Sequence, residues 1–226
     1  MPDKLFVTRV VAKVDMKSSF NENATDYDIW FDNNNDLYQA ELNALRFFIP
    51  ENKNGIEIGV GTGRFAVPLG IRIGIEPAPQ MAALARQRGV EVVEGIAEAL
   101  PCADSSFDFA VMVTVVCFLD DVLQAFREAF RILKPSGLLI VGFIDRVSEL
   151  GQRYNQKKAH SMFYRDATFY SVNELEALLI KAGFSAFSYR QTLLPEESSL
   201  LTVKDGYGSG GFVVVYAHKK EGAEHI

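Results

Sequence analysis

Glu57-Ile58-Gly59-Val60-Gly61-Thr62-Gly63-Arg64-Phe65 is the stretch that decides the fold. Three glycines alternate along it, directly behind the short apolar run Gly55–Val60. Such a turn reverses the chain sharply and presents backbone without Cβ atoms, so a ligand can reach its N–H groups. A glycine triplet alone is a weak signal. Here a strand candidate precedes it, a helix-like Phe65–Leu69 follows it, and a second strand, Ile71–Ile75, ends in Glu76. A carboxylate one βαβ step beyond the turn suits the two hydroxyls of a ribose. Capping of a helix over Pro77–Arg88 is the competing role for that charge.

Outward from the turn, strands and helices alternate. Upstream, Leu37, Ala40, Leu42, Leu45 and Phe48 repeat at helical spacing over Asp36–Phe48, and Pro50 ends the pattern. Downstream, Met81, Leu84 and Ala85 form a helical face stopped by Gly89. Strands are expected at Glu91–Val93, Phe107–Val116 and Leu138–Phe143. A helix over Val122–Leu133 is expected to close at Pro135-Ser136-Gly137. Ser171-Val172-Asn173-Glu174 reads as a capping box before a helix that stops at Gly183. Strands near Phe184–Leu194 and Gly211–Ala217 would finish the sheet, with Pro195–Gly210 as a loop. This rhythm predicts an α/β fold with a mostly parallel sheet covered on both faces. Ligands of such sheets sit at the carboxyl ends of the strands, here just after Val60, Ile75, Gly95, Val113 and Phe143.

The chain has 226 residues, enough for one generous domain. Residues 1–15 read as an extension, 16–218 as a single domain and 219–226 as a polar, frayed tail. Within the domain, 16–50 would form N-terminal cap helices and 149–170 a cover over the substrate. The net charge of −6 argues against a broad nucleic-acid-binding face, so no nucleic-acid partner is expected. No window is apolar enough for a membrane span, and charges break the first fifteen residues too often for a secretory signal. A cytoplasmic location is the default expectation. Cys102 and Cys117 read as reduced, buried thiols. His160, His218 and His225 are scattered, and no metal site is expected.

Two nucleotide ligands compete for the glycine turn. A dinucleotide fingerprint wants a glycine three places after Gly61, and Arg64 stands there. That weighs against an NAD-linked oxidoreductase, which stays as an alternative beside a non-catalytic cofactor-binding module.

The segments together resemble the class I S-adenosylmethionine-dependent methyltransferases, most closely the small-molecule branch that includes the ubiquinone and menaquinone methyltransferases. The likeness runs from about Tyr27 to His218. Glu57, Gly59, Gly61 and Gly63 match the first motif, which lines the methionine part of the cofactor. Ile75-Glu76-Pro77 with Met81 matches the second, where the acid holds the ribose. Gly95-Ile96-Ala97-Glu98-Ala99-Leu100-Pro101 matches the third. Ser106-Phe107-Asp108 and Arg131 to Gly137 match landmarks before the fourth and fifth strands, and Tyr27-Asp28-x-Trp30-Phe31 resembles the cap over the cofactor. The resemblance implies a Rossmann-like, doubly wound, seven-stranded sheet with an antiparallel last strand and a small helical cover. It also implies S-adenosylmethionine as cofactor and a small-molecule acceptor. The expected cofactor contacts are Glu57, Gly59, Gly61, Gly63, Glu76, Pro77, Met81, Ala97, Glu98, Val113, Thr114, Tyr27 and Trp30.

Two positions depart from the family pattern. Ile96 stands where an aspartate usually accepts from the adenine amino group, which leaves the Ala97 backbone and apolar packing for that contact. Val116-Cys117-Phe118-Leu119 stands where many relatives carry a His pair. Methyl transfer from a sulfonium is an in-line displacement with a good leaving group, so a base is needed only if the acceptor must lose a proton. Asp145, at the mouth of the fifth strand, is the candidate base or substrate contact; a solvated loop carboxylate is the plainer role for it. Phe163, Tyr164, Phe169 and Tyr170 are the candidate walls of the acceptor pocket.

Overall fold

The computed structural model describes residues 18–195, 197 and 199–220. The extension at 1–15 lies outside these. Seven helices and eight strands follow one another in the described chain. The helices are α1 (Ser18–Glu22), α2 (Ala24–Asn33), α3 (Asn35–Arg46), α4 (Pro79–Gln87), α5 (Val122–Ile132), α6 (Glu149–Lys157) and α7 (Val172–Ala182). The strands are β1 (Gly55–Ile58), β2 (Ile73–Ile75), β3 (Glu91–Val93), β4 (Phe107–Val113), β5 (Leu133–Ile144), β6 (Phe184–Thr192), β7 (Lys204–Asp205) and β8 (Phe212–Lys219).

The strands form one sheet in the order β3-β2-β1-β4-β5-β8-β6-β7. The first five run parallel, and β8 runs antiparallel to both β5 and β6. The seven expected strands and the antiparallel last one are therefore present, and β7 adds a two-residue edge inside the segment expected as a loop. β4 shows why the sheet lies in the middle. Its run Phe107–Val113 is apolar at all but one position, as a strand covered on both faces must be. Ala110 and Met112 meet the core under α5 and α7, while Phe109, Val111 and Val113 meet the core under α3 and α4.

Several boundaries differ from expectation for local reasons. No α-helix follows the glycine turn. A single 3-10 turn spans Val67–Leu69, because Pro68 offers no N–H and Gly70 turns left-handed at φ 73°. The helix expected from Pro77 begins at Pro79, after extended Ala78. The helix before β5 ends at Ile132, so Pro135-Ser136-Gly137 lies within β5 rather than closing α5. Ser136 takes φ 58°, and the β4–β5 register shifts nearby, which is how the strand accommodates a proline. Lys219 is not part of a frayed tail: β8 includes it, and its Nζ donates to the carbonyls of Phe130 and Leu133 at 2.8 and 2.6 Å, at the end of α5. The capping box is as expected, with Ser171 and Glu174 bonded reciprocally and Gly183 left-handed at φ 103°.

Candidate functional site

The carboxyl ends of β1, β2 and β4 converge, and the loops that leave them build the site. After β1, the amides of Gly59 and Val60 both donate to the Ile75 carbonyl at 2.8 and 2.9 Å, which locks the turn against β2. The glycines serve different ends. A Cβ on Gly59 would lie 2.5 Å from Val115 Cγ2, so that glycine is needed for packing. Gly61, at φ 53°, has open space above it: a Cβ there would meet only Tyr27, at 3.9 Å.

Two buried carboxylates belong to this turn and the strand before it. Glu76 is buried; Oε2 accepts from the Gly61 N–H and Oε1 from the Ala78 N–H, both at 2.9 Å. Burial raises its pKa to about 7, against the pull of those two amides. Each oxygen keeps a lone pair for a further donor. Glu57, on β1, is 1% exposed. It receives a hydrogen bond from the Ala66 backbone, and its Oε2 has no partner among the described residues. Burial, more than this bond can offset, holds its carboxyl well above the usual range.

The cap closes the space from above. Tyr27 on α2 lies over Gly61 and shares a side-chain hydrogen bond with Thr114. Burial drives the Tyr27 phenol upward in pKa, so it stays neutral. Thr114, the first residue past β4, sits at φ 52°, a strained conformation for a β-branched residue. Its N–H donates to the Gly142 carbonyl at 2.8 Å, and its carbonyl accepts the Cys117 thiol at 3.3 Å.

An ion cluster fastens this cap to the turn. Asp28, one residue beyond Tyr27, accepts from Arg64 at 2.9 and 3.0 Å and from Arg88 at 2.6 Å. Burial alone would push Asp28 up, but the two guanidiniums outweigh it and hold the carboxyl at about 2. Arg64 also grips Asp32 at 2.7 and 2.8 Å, and Arg88 reaches the Thr62 carbonyl at 2.8 Å. The residue that breaks the dinucleotide fingerprint is thus the one that ties α2 to the glycine turn. Sequence reading misses this, because Asp28 and Arg64 lie 36 positions apart.

Beneath the cap is a partly open cleft of about 580 Å³, counting the solvent at its mouth. Phe20, Tyr27, Trp30 and Phe31 line it from α1 and α2, and Glu41 from α3. Phe65, Thr114, Phe118 and Ile144 contribute from the strand ends, and Tyr154, Phe163 and Tyr164 from the cover. A smaller cleft of about 280 Å³ continues past Thr114, Ile144 and Tyr164 toward Val116, Phe143, Phe169 and Tyr170. All four aromatic residues expected as acceptor walls therefore line one cleft or the other. Phe118, in the stretch where many relatives carry a His pair, presents a ring.

The remaining expected residues fall in other places. Met81 is buried against Ala24, Phe20 and Tyr27, and Pro77 is half-buried just before α4. Ala97 and Glu98 form the tip of a tight turn between Ile96 and Ala99, which pair as an isolated bridge. The Glu98 carboxylate accepts from the amides of Asp120 and Asp121, at 3.0 and 3.4 Å, and so braces the start of α5. Arg131 holds the next stretch down. It donates to the carbonyls of Leu100 and Cys102 while paired with buried Glu128, which explains an arginine at that landmark. Val113 is buried in the core under α3. Asp145 is not a solvated carboxylate: it is fully buried, accepts from the Val147 amide at 3.2 Å, and lines neither cleft.

The donors and acceptors on hand fit S-adenosylmethionine. An unpartnered buried carboxylate oxygen on Glu57 suits an ammonium. The free lone pairs of Glu76 suit ribose hydroxyls, and the space above Gly61 admits the chain that joins them. The wider comparisons agree. The methyltransferase domain family matches residues 56–141. The crystal structure of an S-adenosylmethionine-dependent methyltransferase from Thermotoga maritima, a possible histamine N-methyltransferase, is 50% identical with a TM-score of 0.87. The match covers 91% of this chain and 100% of that one. An uncharacterized protein of Methanocaldococcus jannaschii is 43% identical over 202 residues, covering 88% of this chain and 98% of its own length. A demethylmenaquinone methyltransferase of Chlorobaculum parvum is 34% identical over 89 residues, covering 36% of this chain and 37% of its own. The chain belongs to the class I S-adenosylmethionine-dependent methyltransferases. Its cofactor is S-adenosylmethionine, and its reaction is methyl transfer.

Proposed function

We propose that the acceptor is a small molecule held in the aromatic cleft under α2, and that the methyl donor lies between that cleft and the glycine turn. In this reading Glu57, Gly59, Gly61 and Gly63 hold the methionine end of the donor. Glu76 holds the ribose, with Pro77 and Met81 beside the adenine. Ala97 and Glu98 bound the adenine from the third strand's loop, Val113 and Thr114 border the sulfonium, and Tyr27 and Trp30 cover it. The observation that carries the reading is the open space above Gly61, beside the Glu76 carboxylate that its N–H meets and under Tyr27, a ring that also lines the aromatic cleft.

The donor supplies an electrophilic methyl group on positively charged sulfur. The chain's part is to hold acceptor and donor in line and to exclude water; such positioning is worth roughly 7–11 kcal/mol of a barrier. Tyr27 and Thr114 fix the floor and roof of the junction. The ion cluster at Asp28 keeps the roof in place. Tyr154, Phe163 and Tyr164 bound the acceptor. Enclosure of this kind fits a small molecule better than a polymer. The Thermotoga maritima neighbour's description, a possible histamine N-methyltransferase, agrees with a nitrogen acceptor.

Titration calorimetry tests this. S-adenosylhomocysteine should bind the wild-type chain and raise its melting temperature, while NAD should do neither. Gly61→Val should abolish that binding in a folded protein, because the side chain fills the open space and strains a left-handed backbone. Stabilisation by NAD, or undiminished binding to Gly61→Val, would reject the assignment.

A further inference from the structure

Glu41 differs from the other buried acids of the described chain in accepting no hydrogen bond at all. It lies on α3, a helix whose buried positions are otherwise mainly apolar, and it is 6% exposed. It lines the larger cleft. Yet it has no hydrogen bond or ion pair among the described residues; burial is the sole cause acting on its carboxyl, raising it to about 8. A carboxyl placed so costs stability unless something pairs with it. Glu128 has Arg131, Glu76 has two amides, and Asp145 has the Val147 amide at one oxygen while its Oδ2 has no partner among the described residues. Glu57, the comparable case, accepts from the Ala66 backbone and lines neither cleft.

The surroundings of Glu41 say what would pair with it. The titratable groups facing it are Tyr27, Tyr154 and Tyr164, on α2, α6 and the cover. Burial raises all three phenols, so all are neutral, and they add no positive charge. Rings of Trp30, Phe31 and Phe163 complete the wall. Aromatic faces around one carboxylate attract a compact cation, by ring quadrupole and by charge together. Past Thr114 and Tyr164 the second cleft is bordered by Val116, Phe143 and Phe169, which suits an apolar body attached to that cation.

We propose that the methyl acceptor is a primary or secondary amine with an apolar body, and that Glu41 binds its ammonium group and takes its proton. This rests on the methyltransferase reading of the same site. The steps balance. The Glu41 carboxylate accepts one proton from the ammonium, giving a neutral amine and a neutral carboxylic acid. The nitrogen lone pair then forms the N–C bond as the S–C bond breaks, its electron pair passing to sulfur. The product leaves as an N-methylammonium, and Glu41 is left carrying the transferred proton, the protonated form it holds in the empty site. Because the empty site holds Glu41 protonated at neutral pH, capture of an ammonium ion also releases a proton to the buffer.

The test uses the full chain saturated with S-adenosylhomocysteine, with 2-phenylethylamine as probe and 2-phenylethanol as its uncharged counterpart. Calorimetry at pH 7 in buffers of different ionisation enthalpy reads both affinity and proton release. The amine should bind more tightly than the alcohol and release about one proton. Glu41→Gln should weaken the amine by about thirtyfold or more, abolish proton release, and leave the alcohol and S-adenosylhomocysteine unaffected. Glu41→Met, which fills similar volume with hydrocarbon, serves the same purpose if the amide variant folds poorly, with the melting temperature as control. Absence of amine binding, equal binding of the two probes, or an amine affinity unchanged in the variants overturns the proposal. So does an equal loss of S-adenosylhomocysteine, which would make Glu41 part of the donor site. If S-adenosylhomocysteine fails to bind the wild-type chain, the underlying methyltransferase reading fails instead.

Discussion

The two halves of the site are built in opposite ways. The donor half comes from short, local segments: the turn after β1 and the acid after β2 lie 15 residues apart and meet through one hydrogen bond, Gly61 N–H to Glu76. The acceptor half is assembled from α1, α2, α3, two strand ends and the cover, with residues from Phe20 to Tyr164 around one cleft. The first half is made of backbone and carboxylates, the second of ring faces and one unpartnered acid. Backbone geometry leaves a mark in sequence, because only glycine tolerates it. Ring faces brought together by tertiary packing leave none.

That contrast can be broken at several points. Gly61→Val should have the largest effect, a loss of about a hundredfold or more in S-adenosylhomocysteine affinity by calorimetry. A smaller loss would mean that the donor half depends less on bare backbone than its geometry implies. Arg64→Ala comes next. It frees Asp32 and leaves Asp28 with Arg88 alone, and it should cost roughly 1–3 kcal/mol in urea unfolding, with weaker S-adenosylhomocysteine binding because the cap loosens. Tyr164→Ala should act on one half alone: a raised acceptor KM, with S-adenosylhomocysteine affinity within about twofold of wild type.

The smallest effect is a slope against pH. An acid whose folded pKa lies above its unfolded value stabilises the fold fully below the unfolded value, and that contribution is lost as pH rises through the folded one. Glu76 rises from 4.5 to about 7 and Glu41 from 4.5 to about 8. The melting temperature of the ligand-free chain should therefore fall between pH 4.5 and about pH 8. Glu41→Gln should flatten that fall and melt roughly 2–4 °C higher than wild type at pH 8. Scanning calorimetry at fixed ionic strength reads both.

Sequence is informative where chemistry is local. The glycine turn, Glu76, the capping box at Ser171 and β4 all carry their structural reasons in adjacent residues. Expectation and structure part where one residue overrides its neighbours. Pro68 and Gly70 cut the expected helix to a single turn, and Ser136 lets β5 run through a proline. Asp145 stands beside a strand end, as predicted, yet is turned inward by the Val147 amide. Glu41 does leave a signal, though a faint one. It shares the i, i+4 stripe with Leu37 and Leu45, and an acid on an apolar stripe is a position to question. The ion cluster at Asp28 leaves no such signal, since its members are joined only once the chain has folded.

Thr114 carries one further consequence. Glycine would relax the left-handed backbone at the tip of β4, where threonine is held at φ 52°. But glycine would also remove the hydroxyl that meets Tyr27. Robustness and chemistry pull this position in opposite directions. A laboratory evolution campaign that rewarded heat tolerance alone should pass through Thr114→Gly early, and the survivors should outlast the parent in the oven while methylating less.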